Sequence, residues 1–406
     1  MCGIVGYVGY DEAAGKIIEG LKKLEYRGYD SSGIAILSDK GIELNKCKGE
    51  IKNLENMIAG RIPSGTCGIG HTRWATHGAP SDVNSHPHMD QSGRVALVHN
   101  GIVENYVELK EALINEHGIK FKSETDSEVI AQLVGVKYNA NGGDLEKAVY
   151  DATKEMRGTY AIGVIAEDTP NKIVAYRKEA PLIAGLGKKS NFIASDIPAL
   201  LKYTNDIFLI ENDEMVICTP DSITIKDKDG KEVKREAMKI TWSVEDAEKG
   251  GYEHFMLKEI NEQPKVVAET LNRRIDEDGK IKLDGINLTK EELDKYNKIY
   301  IVACGTAYHA GLVGKYVIEK MAGIAVEVDV ASEFRYRDPF IDEKTLFIAI
   351  SQSGETLDTL MSLRLAKEKG ARVLSVVNVV GSSIARESDD VFYTWAGPEI
   401  SVASTK

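Results

Sequence analysis

What most constrains the fold of this chain is a change of rhythm partway along it. From residue 1 to about 240, short Val/Ile/Tyr-rich runs alternate with turns and few helical patterns intervene. Strand candidates are 3–8, 33–37, 67–71, 94–99, 160–166, 172–177 and 191–194. Asp11 to Leu24 places Ile17, Ile18, Leu21 and Leu24 on one helical face, and Arg27-Gly28 ends the run. Thr125-x-x-Glu128 reads as a capping box ahead of Val129, Ile130, Leu133 and Val134. Strands grouped this way, with helices set apart, predict stacked antiparallel sheets flanked by helices. Beyond residue 292 the order becomes strand, turn, helix, strand. Segments 299–303, 325–330, 345–350 and 372–377 are continuous apolar runs, as parallel strands covered on both faces require. Helical stretches 308–321 and 357–369 separate them, and Gly323 and Gly370 mark their ends. An open, doubly wound α/β domain is expected there. Between the two, Lys249-Gly250-Gly251, a polar helical stretch, Gln263-Pro264 and a charged run suggest a connection carrying at least one helix. The expected division is therefore 1–240, 241–292 and 293–406.

The composition narrows the function. Apolar residues make up 43% and charged residues 28%, the profile of a soluble globular protein. The formal charge is −12, and no Lys/Arg block is long enough to track a phosphate backbone, so nucleic acid is excluded as a partner. Five cysteines (Cys2, Cys47, Cys67, Cys218, Cys304) are scattered without CxxC spacing, which argues against a disulfide framework or zinc cage and for a cytoplasmic location. No segment approaches the roughly 18 apolar residues of a membrane span. His71, His77, His86 and His88 lie close in sequence, but their spacing fits no common zinc pattern, and no metal or other cofactor is expected.

Polar clusters at strand ends are where chemistry is usually built. Tyr26 to Gly33, His71 to Gly78 and His99-Asn100-Gly101 are three such clusters. For Asn100-Gly101 the plain reading is a tight turn; the chemical one is an oxyanion hole made of an Asn amide and a Gly N–H. Cys2 directly follows the initiator Met, so trimming of Met1 would place thiol and free amine on one residue, nucleophile and base together. Taken by itself, Cys2 fits better as a small unreactive thiol opening a buried strand. In the second half, Ser351-Gln352-Ser353-Gly354-Glu355-Thr356 joins a strand to a helix, combining exposed N–H groups, the positive end of a helix dipole and three hydroxyls into an anion site. A Ser/Thr cap with a turn glycine would account for one hydroxyl only.

The segments CGIVGY, EYRGYDSSG, HTRWATHG, NSHPH, VHNGIVEN and SETDSE, in this order, resemble the glutaminase domain of the glutamine:fructose-6-phosphate amidotransferase family. ACGTAYHAG, SQSGET and EISVASTK resemble the first sugar-isomerase (SIS) lobe of the same family, so the resemblance spans both domains. Phosphoribosylpyrophosphate amidotransferases and asparagine synthetases share the leading Cys-Gly-Ile without this combination. The resemblance implies an α+β N-terminal-nucleophile hydrolase fold, α/β/β/α in layers, followed by a doubly wound SIS lobe. It reverses the reading of Cys2: the thiol attacks the glutamine side-chain amide, releasing ammonia and forming a γ-glutamyl thioester. Asn100 and Gly101 would hold the oxyanion, Arg73 the α-carboxylate and Asp126 the α-ammonium. Trp74 would sit on the loop over glutamine, and Arg27, Thr76 and His77 would line the same region. Gly305, Thr306, Ser351, Gln352, Ser353, Thr356, Val402 and Ser404 would bind fructose 6-phosphate.

Two departures matter. Ala307 stands where some members have a Ser, and the chain stops at Lys406, whereas the family continues into a second lobe holding the ring-opening and Schiff-base residues. The expectation is glutamine hydrolysis by these residues alone without complete isomerase chemistry, with the complete enzyme a homodimer. The alternatives are a non-catalytic module that senses a sugar phosphate, and an amidotransferase for a different sugar-phosphate acceptor.

Overall fold

A computed structural model describes residues 2–75, 77–240 and 249–406. The chain forms two compact units, Met1–Val244 and Glu245–Lys406.

The first unit is built on two antiparallel sheets. In one, the strands run in the order Met238–Lys239, Asp206–Leu209, Ile183–Leu186, Ser190–Ala194, Gly3–Gly9, Cys67–Arg73, Ser31–Ser38 and Gly41–Lys48. In the other the order is Ile223–Lys226, Glu214–Cys218, Ile173–Lys178, Gly158–Ala166, Val95–Val103 and His88–Met89. Side-chain alternation assigns each strand face to a different core. Ala96 and Val98 join Ile4, Val8, Ala35 and Ile69 between the sheets, whereas Val95, Leu97 and Val103 pack outward on Val129, Ile130, Leu133 and Val134 of helix Asp126–Ala140. Helix Ala13–Leu24 covers the far face of the first sheet, close enough that a Cβ on Gly70 would lie 2.4 Å from Ile17 Cγ2 and 2.9 Å from Leu21 Cδ1. Each fully buried Ile or Leu stabilises this helix by about 1.5–3 kcal/mol relative to exposure. The layering is helix, sheet, sheet, helix, as the sequence predicts.

All seven expected strands form, most of them longer than expected. The difference is consequential at two places. The strand expected over 67–71 continues through Thr72-Arg73. His99-Asn100-Gly101 does not close a strand in a tight turn; it lies within Val95–Val103, paired with Ile162, Ala161 and Tyr160. The capping box is half formed. Thr125 Oγ1 accepts from Glu128 N at 3.2 Å, but the Glu128 carboxylate takes the N–H groups of Lys122 and Ser123, because the Thr125 N–H is already bound to Ser123 Oγ at 3.3 Å. Helices Ile51–Ile58, Tyr106–His117 and Leu145–Glu155, together with several short strands, were not singled out in the sequence.

The second unit has a five-stranded parallel sheet in the order Ala325–Val330, Lys298–Ala303, Thr345–Ser351, Arg372–Val377 and Asp390–Tyr393. Helix Gly305–Ala322 ends at Gly323, whose φ of +68° is the left-handed cap that glycine adopts without penalty. One face of the sheet is fully covered: Tyr300, Val302, Phe347, Ala349 and Val373 pack on Phe334, Leu360, Leu363 and Ala366. The other face departs from expectation, since Ile350, Leu374 and Val376 are only half-buried. Apolar runs without alternation therefore signal coverage of both faces less strictly than assumed. Among the described residues, no helix is long and apolar enough to cross a membrane.

Candidate active site

The register of the first sheet brings the sequence clusters together. Gly3 pairs with Thr72 and Ser31 with Arg73, so Cys2, the Arg73-Trp74 segment and the start of strand Ser31–Ser38 meet at one end of three strands. The Trp74 N–H donates to Cys2 Sγ at 3.2 Å, and the thiol reaches the Trp74 carbonyl at 3.5 Å. From the second sheet, Asn100 Nδ2 donates to the Cys2 carbonyl at 3.2 Å. Burial raises the thiol pKa and outweighs the opposing hydrogen bond from Trp74. Cys67 and Cys218, by contrast, lie within the core between the sheets.

The glycine of the Asn-Gly pair is structurally required. Gly101 has φ +119°, and a Cβ there would sit 2.0 Å from the Thr159 carbonyl oxygen. Beside it, Asn100 is 7% exposed with an amide that can still offer a second N–H.

Two buried charges have spare capacity. Arg73 is 4% exposed; its Nη2 donates to the carbonyls of His77 and Gly78, while Nη1 is buried with no partner among the described residues. A buried guanidinium nitrogen with nothing to donate to is costly unless a ligand completes it, and a carboxylate matches its fork. Asp126, the first residue of its helix, accepts from Val103 N–H at 3.0 Å and stands 4.0 Å from His99 Nδ1.

The remaining expected residues divide. Trp74 is 47% exposed and edge-on to Tyr29 at 5.5 Å, so it is not part of the core. His77 lends its carbonyl to Arg73 and its ring packs on Tyr106. The Arg27 guanidinium is engaged by Asp196 at 2.5 Å, a carboxylate shared with the Tyr26 hydroxyl at 2.7 Å. Thr76 lies outside the described residues. The sequence reading did not identify what props the site. Asp30 accepts the Ala75 N–H and gives its own N–H to the Arg73 carbonyl at 3.1 Å. A Cβ on Gly28 would be 2.6 Å from the Arg73 carbonyl carbon. The signal was present in the run Arg27-Gly28-Tyr29-Asp30, whose small and acidic residues suit close backbone approach.

The histidines group differently from their spacing. His71 stacks on His86 with centroids 4.1 Å apart, His88 meets His86 at 4.9 Å and His99 at 6.5 Å completes the set, while His77 stands elsewhere. Burial lowers the pKa of all four, His71 to about 3. Among the described residues no His, Cys, Asp or Glu group is arranged to hold a metal.

In the second unit, strand order places the candidate anion site. From Lys298–Ala303 the chain passes to Ala325–Val330 on one side and then to Thr345–Ser351 on the other, so the order reverses between Lys298–Ala303 and Thr345–Ser351. Crevices at such switch points, outside the carboxyl ends of the strands, are where open α/β sheets bind ligands. Both flanking loops end there: Gly305 and Thr306 open one helix, and Ser351 to Thr356 lead into helix Leu357–Glu368. Thr356 occupies the N-cap position without capping; its hydroxyl turns to Ser351 Oγ at 3.2 Å, leaving the helix N-terminus without a side-chain acceptor. Ser351 Oγ accepts from Gly354 N–H and Ser353 Oγ from Glu355 N–H. The Gln352 carbonyl accepts from Asn378 and Val379. Val402 and Ser404 stand outside this hydroxyl cluster: Val402 is 90% exposed, and the Ser404 hydroxyl donates to Glu399 at 2.8 Å.

Comparison with known proteins follows these two regions. Residues 71–202 match the glutamine amidotransferase domain model and residues 292–406 the SIS domain model. The glutamine–fructose-6-phosphate aminotransferase (isomerizing) of Clostridium tetani (strain Massachusetts / E88) is 60% identical over 406 residues, covering 100% of this chain and 66% of that protein. The protein of the same name from Thermus thermophilus is 51% identical over 407 residues, again 100% and 66%. The glutamine phosphoribosylpyrophosphate amidotransferase of B. subtilis, solved with ADP and GMP, superposes with a TM-score of 0.51 at 18% identity, covering 93% of this chain and 81% of that one, a likeness of fold alone. The chain thus spans 66% of the length of the curated relatives it matches. With an N-terminal-nucleophile glutamine amidotransferase fold of stacked antiparallel sheets followed by a parallel-sheet SIS domain, the chain belongs to the glutamine–fructose-6-phosphate aminotransferase family.

Proposed function

We propose that these residues hydrolyse glutamine through a Cys2 thioester and cradle a sugar phosphate, as the glutaminase and first sugar-binding parts of an enzyme that makes glucosamine 6-phosphate from fructose 6-phosphate. The observation that carries the reading is the convergence on Cys2 of Trp74 N–H, the Asn100 amide and a buried Arg73 with an unmet donor. Glutamine binds with its α-carboxylate on Arg73 and its α-ammonium at Asp126. With Met1 removed, the Cys2 amine takes the thiol proton as Sγ bonds to the side-chain carbonyl carbon. Asn100 Nδ2 and Gly101 N–H receive the oxyanion, a pair whose members each matter by about 2.7–4 kcal/mol. Collapse of this intermediate breaks the C–N bond; the amine returns its proton and ammonia leaves. Water then cleaves the thioester to glutamate and restores the thiol.

The sugar phosphate sits where Ser351, Gln352, Ser353 and Thr356 meet the uncapped helix N-terminus, with Gly305 and Thr306 across the switch point. On this reading 1–240 is the glutaminase domain, 241–292 the connection and 293–406 the SIS lobe, and the complete enzyme is a cytoplasmic homodimer. Mass spectrometry of the N-terminal peptide, with glutamate release by wild type and Cys2→Ala, tests the proposal. Met1 is expected to be absent and release to fall by roughly 10⁴-fold or more in the variant. Retained Met1 with silent chemistry would favour a sensing module instead.

A further inference from the structure

The buried His71 lies outside the set of residues that touch glutamine in this reading, yet it is a polar link between the two sheets at the catalytic end. His71 belongs to strand Cys67–Arg73 of the first sheet and Asn100 to strand Val95–Val103 of the second. Nε2 of His71 lies 2.9 Å from Asn100 Oδ1 and 3.0 Å from the His99 carbonyl oxygen. A backbone carbonyl can only accept, so the proton must be on Nε2, and the Asn100 atom facing it must be the acceptor oxygen. The other end of the amide gives the same answer independently: the atom 3.2 Å from the Cys2 carbonyl must be the donor Nδ2. His71 is 1% exposed, its Nδ1 is buried with no partner among the described residues, and its ring stacks on His86 at an interplanar angle of 18°. A neutral ring carrying its one proton on Nε2 fits all three observations, and burial, which keeps the ring uncharged, supports it.

We infer that His71 is a positioning residue: its Nε2–H holds Asn100 Oδ1 and so turns the Asn100 NH2 group toward Cys2, where the oxyanion forms. Without that donor the amide keeps only its bond to the Cys2 carbonyl, and the flipped form, which presents an oxygen to a developing negative charge, gains population. The inference rests on Asn100 being an oxyanion donor, as proposed above.

The test compares His71→Phe, which keeps ring packing on His86 but removes the donor, with His71→Gln, whose side-chain N–H reaches a similar place. Asn100→Ala and the double variant His71→Phe/Asn100→Ala complete a cycle. In His71→Phe, kcat for glutamine hydrolysis is expected to fall roughly tenfold to a hundredfold, a fraction of the loss in Asn100→Ala. KM stays within about threefold, Cys2 is alkylated by iodoacetamide at the wild-type rate, and the double variant is no slower than Asn100→Ala. His71→Gln is expected to recover most of kcat. Wild-type kcat in His71→Phe, losses that multiply in the double variant, alkylation that slows in step with kcat, or no recovery in His71→Gln would each overturn the inference. Wild-type kcat in Asn100→Ala would instead remove the oxyanion reading itself.

Discussion

The two sites proposed for this chain are built by opposite strategies. The glutamine site is assembled from residues far apart in sequence: the contacts joining Cys2 to Trp74 and to Asn100 span 72 and 98 positions. Its charged groups are almost wholly buried, and one guanidinium nitrogen is left unmet. The phosphate site is a six-residue loop whose hydroxyls and amides bond to one another, at the start of a helix that supplies the positive field. The first site depends on strand register and on close backbone approach. The second depends on local turn chemistry, so single changes should damage the two very differently.

Gly28→Ala should have the largest effect. The added methyl would meet the Arg73 carbonyl carbon at 2.6 Å, so the Arg73-Trp74 turn must shift, and a displacement near 1 Å lowers kcat by roughly 10²-fold without touching glutamine. Steady-state glutamate release measures it; an unimpaired variant would break the idea that register builds the site. Arg73→Lys follows. Loss of the planar fork should raise KM for glutamine roughly tenfold to a hundredfold and leave kcat nearer to wild type. Initial rates across glutamine concentrations separate the two parameters.

Acid should also divide the units. His71, His86, His88 and His99 in the first unit have folded pKa values below the ordinary 6.5, so the unfolded chain binds more protons below that pH. The stability they allow is complete above about pH 6.5 and declines as pH falls, for His71 down to about 3, by about 1.4 kcal/mol per pH unit for each histidine in its window. His254 and His309 of the second unit are exposed, so that unit holds no comparable cluster of buried histidines among the described residues. Peptide-resolved hydrogen exchange at pH 7.5 and 5 is expected to show protection falling first in the first unit. Equal loss in both would blunt the contrast. The smallest effect is expected from Thr356→Val, which removes one hydroxyl of a redundant set. Calorimetric titration should show fructose 6-phosphate binding about fivefold weaker, with glutaminase activity intact.

The sequence made the layers legible, and for a physical reason: period-two and continuous apolar runs record which faces are buried. The phosphate loop was legible too, since its groups are neighbours in the chain. Strand ends were less so. Asn100-Gly101 has the composition of a turn, yet it lies inside a strand because Gly101 takes a positive φ against the Thr159 carbonyl, a contact made across the sheet. Histidine spacing likewise suggested a group containing His77, whereas the fold replaces it with His99 from another sheet.

By itself, then, the chain's order of residue types determined two domains of different architecture, the thiol at position 2 and a hydroxyl-rich loop at a helix start. Only the tertiary structure decided that Cys2 meets the Arg73-Trp74 segment and Asn100, that Gly28 and Asp30 lie against the Arg73 backbone, and that His71 faces the Asn100 amide. Backbone propensity acts over a few residues, whereas a hydrogen bond between two sheets exists only after both have folded and stacked.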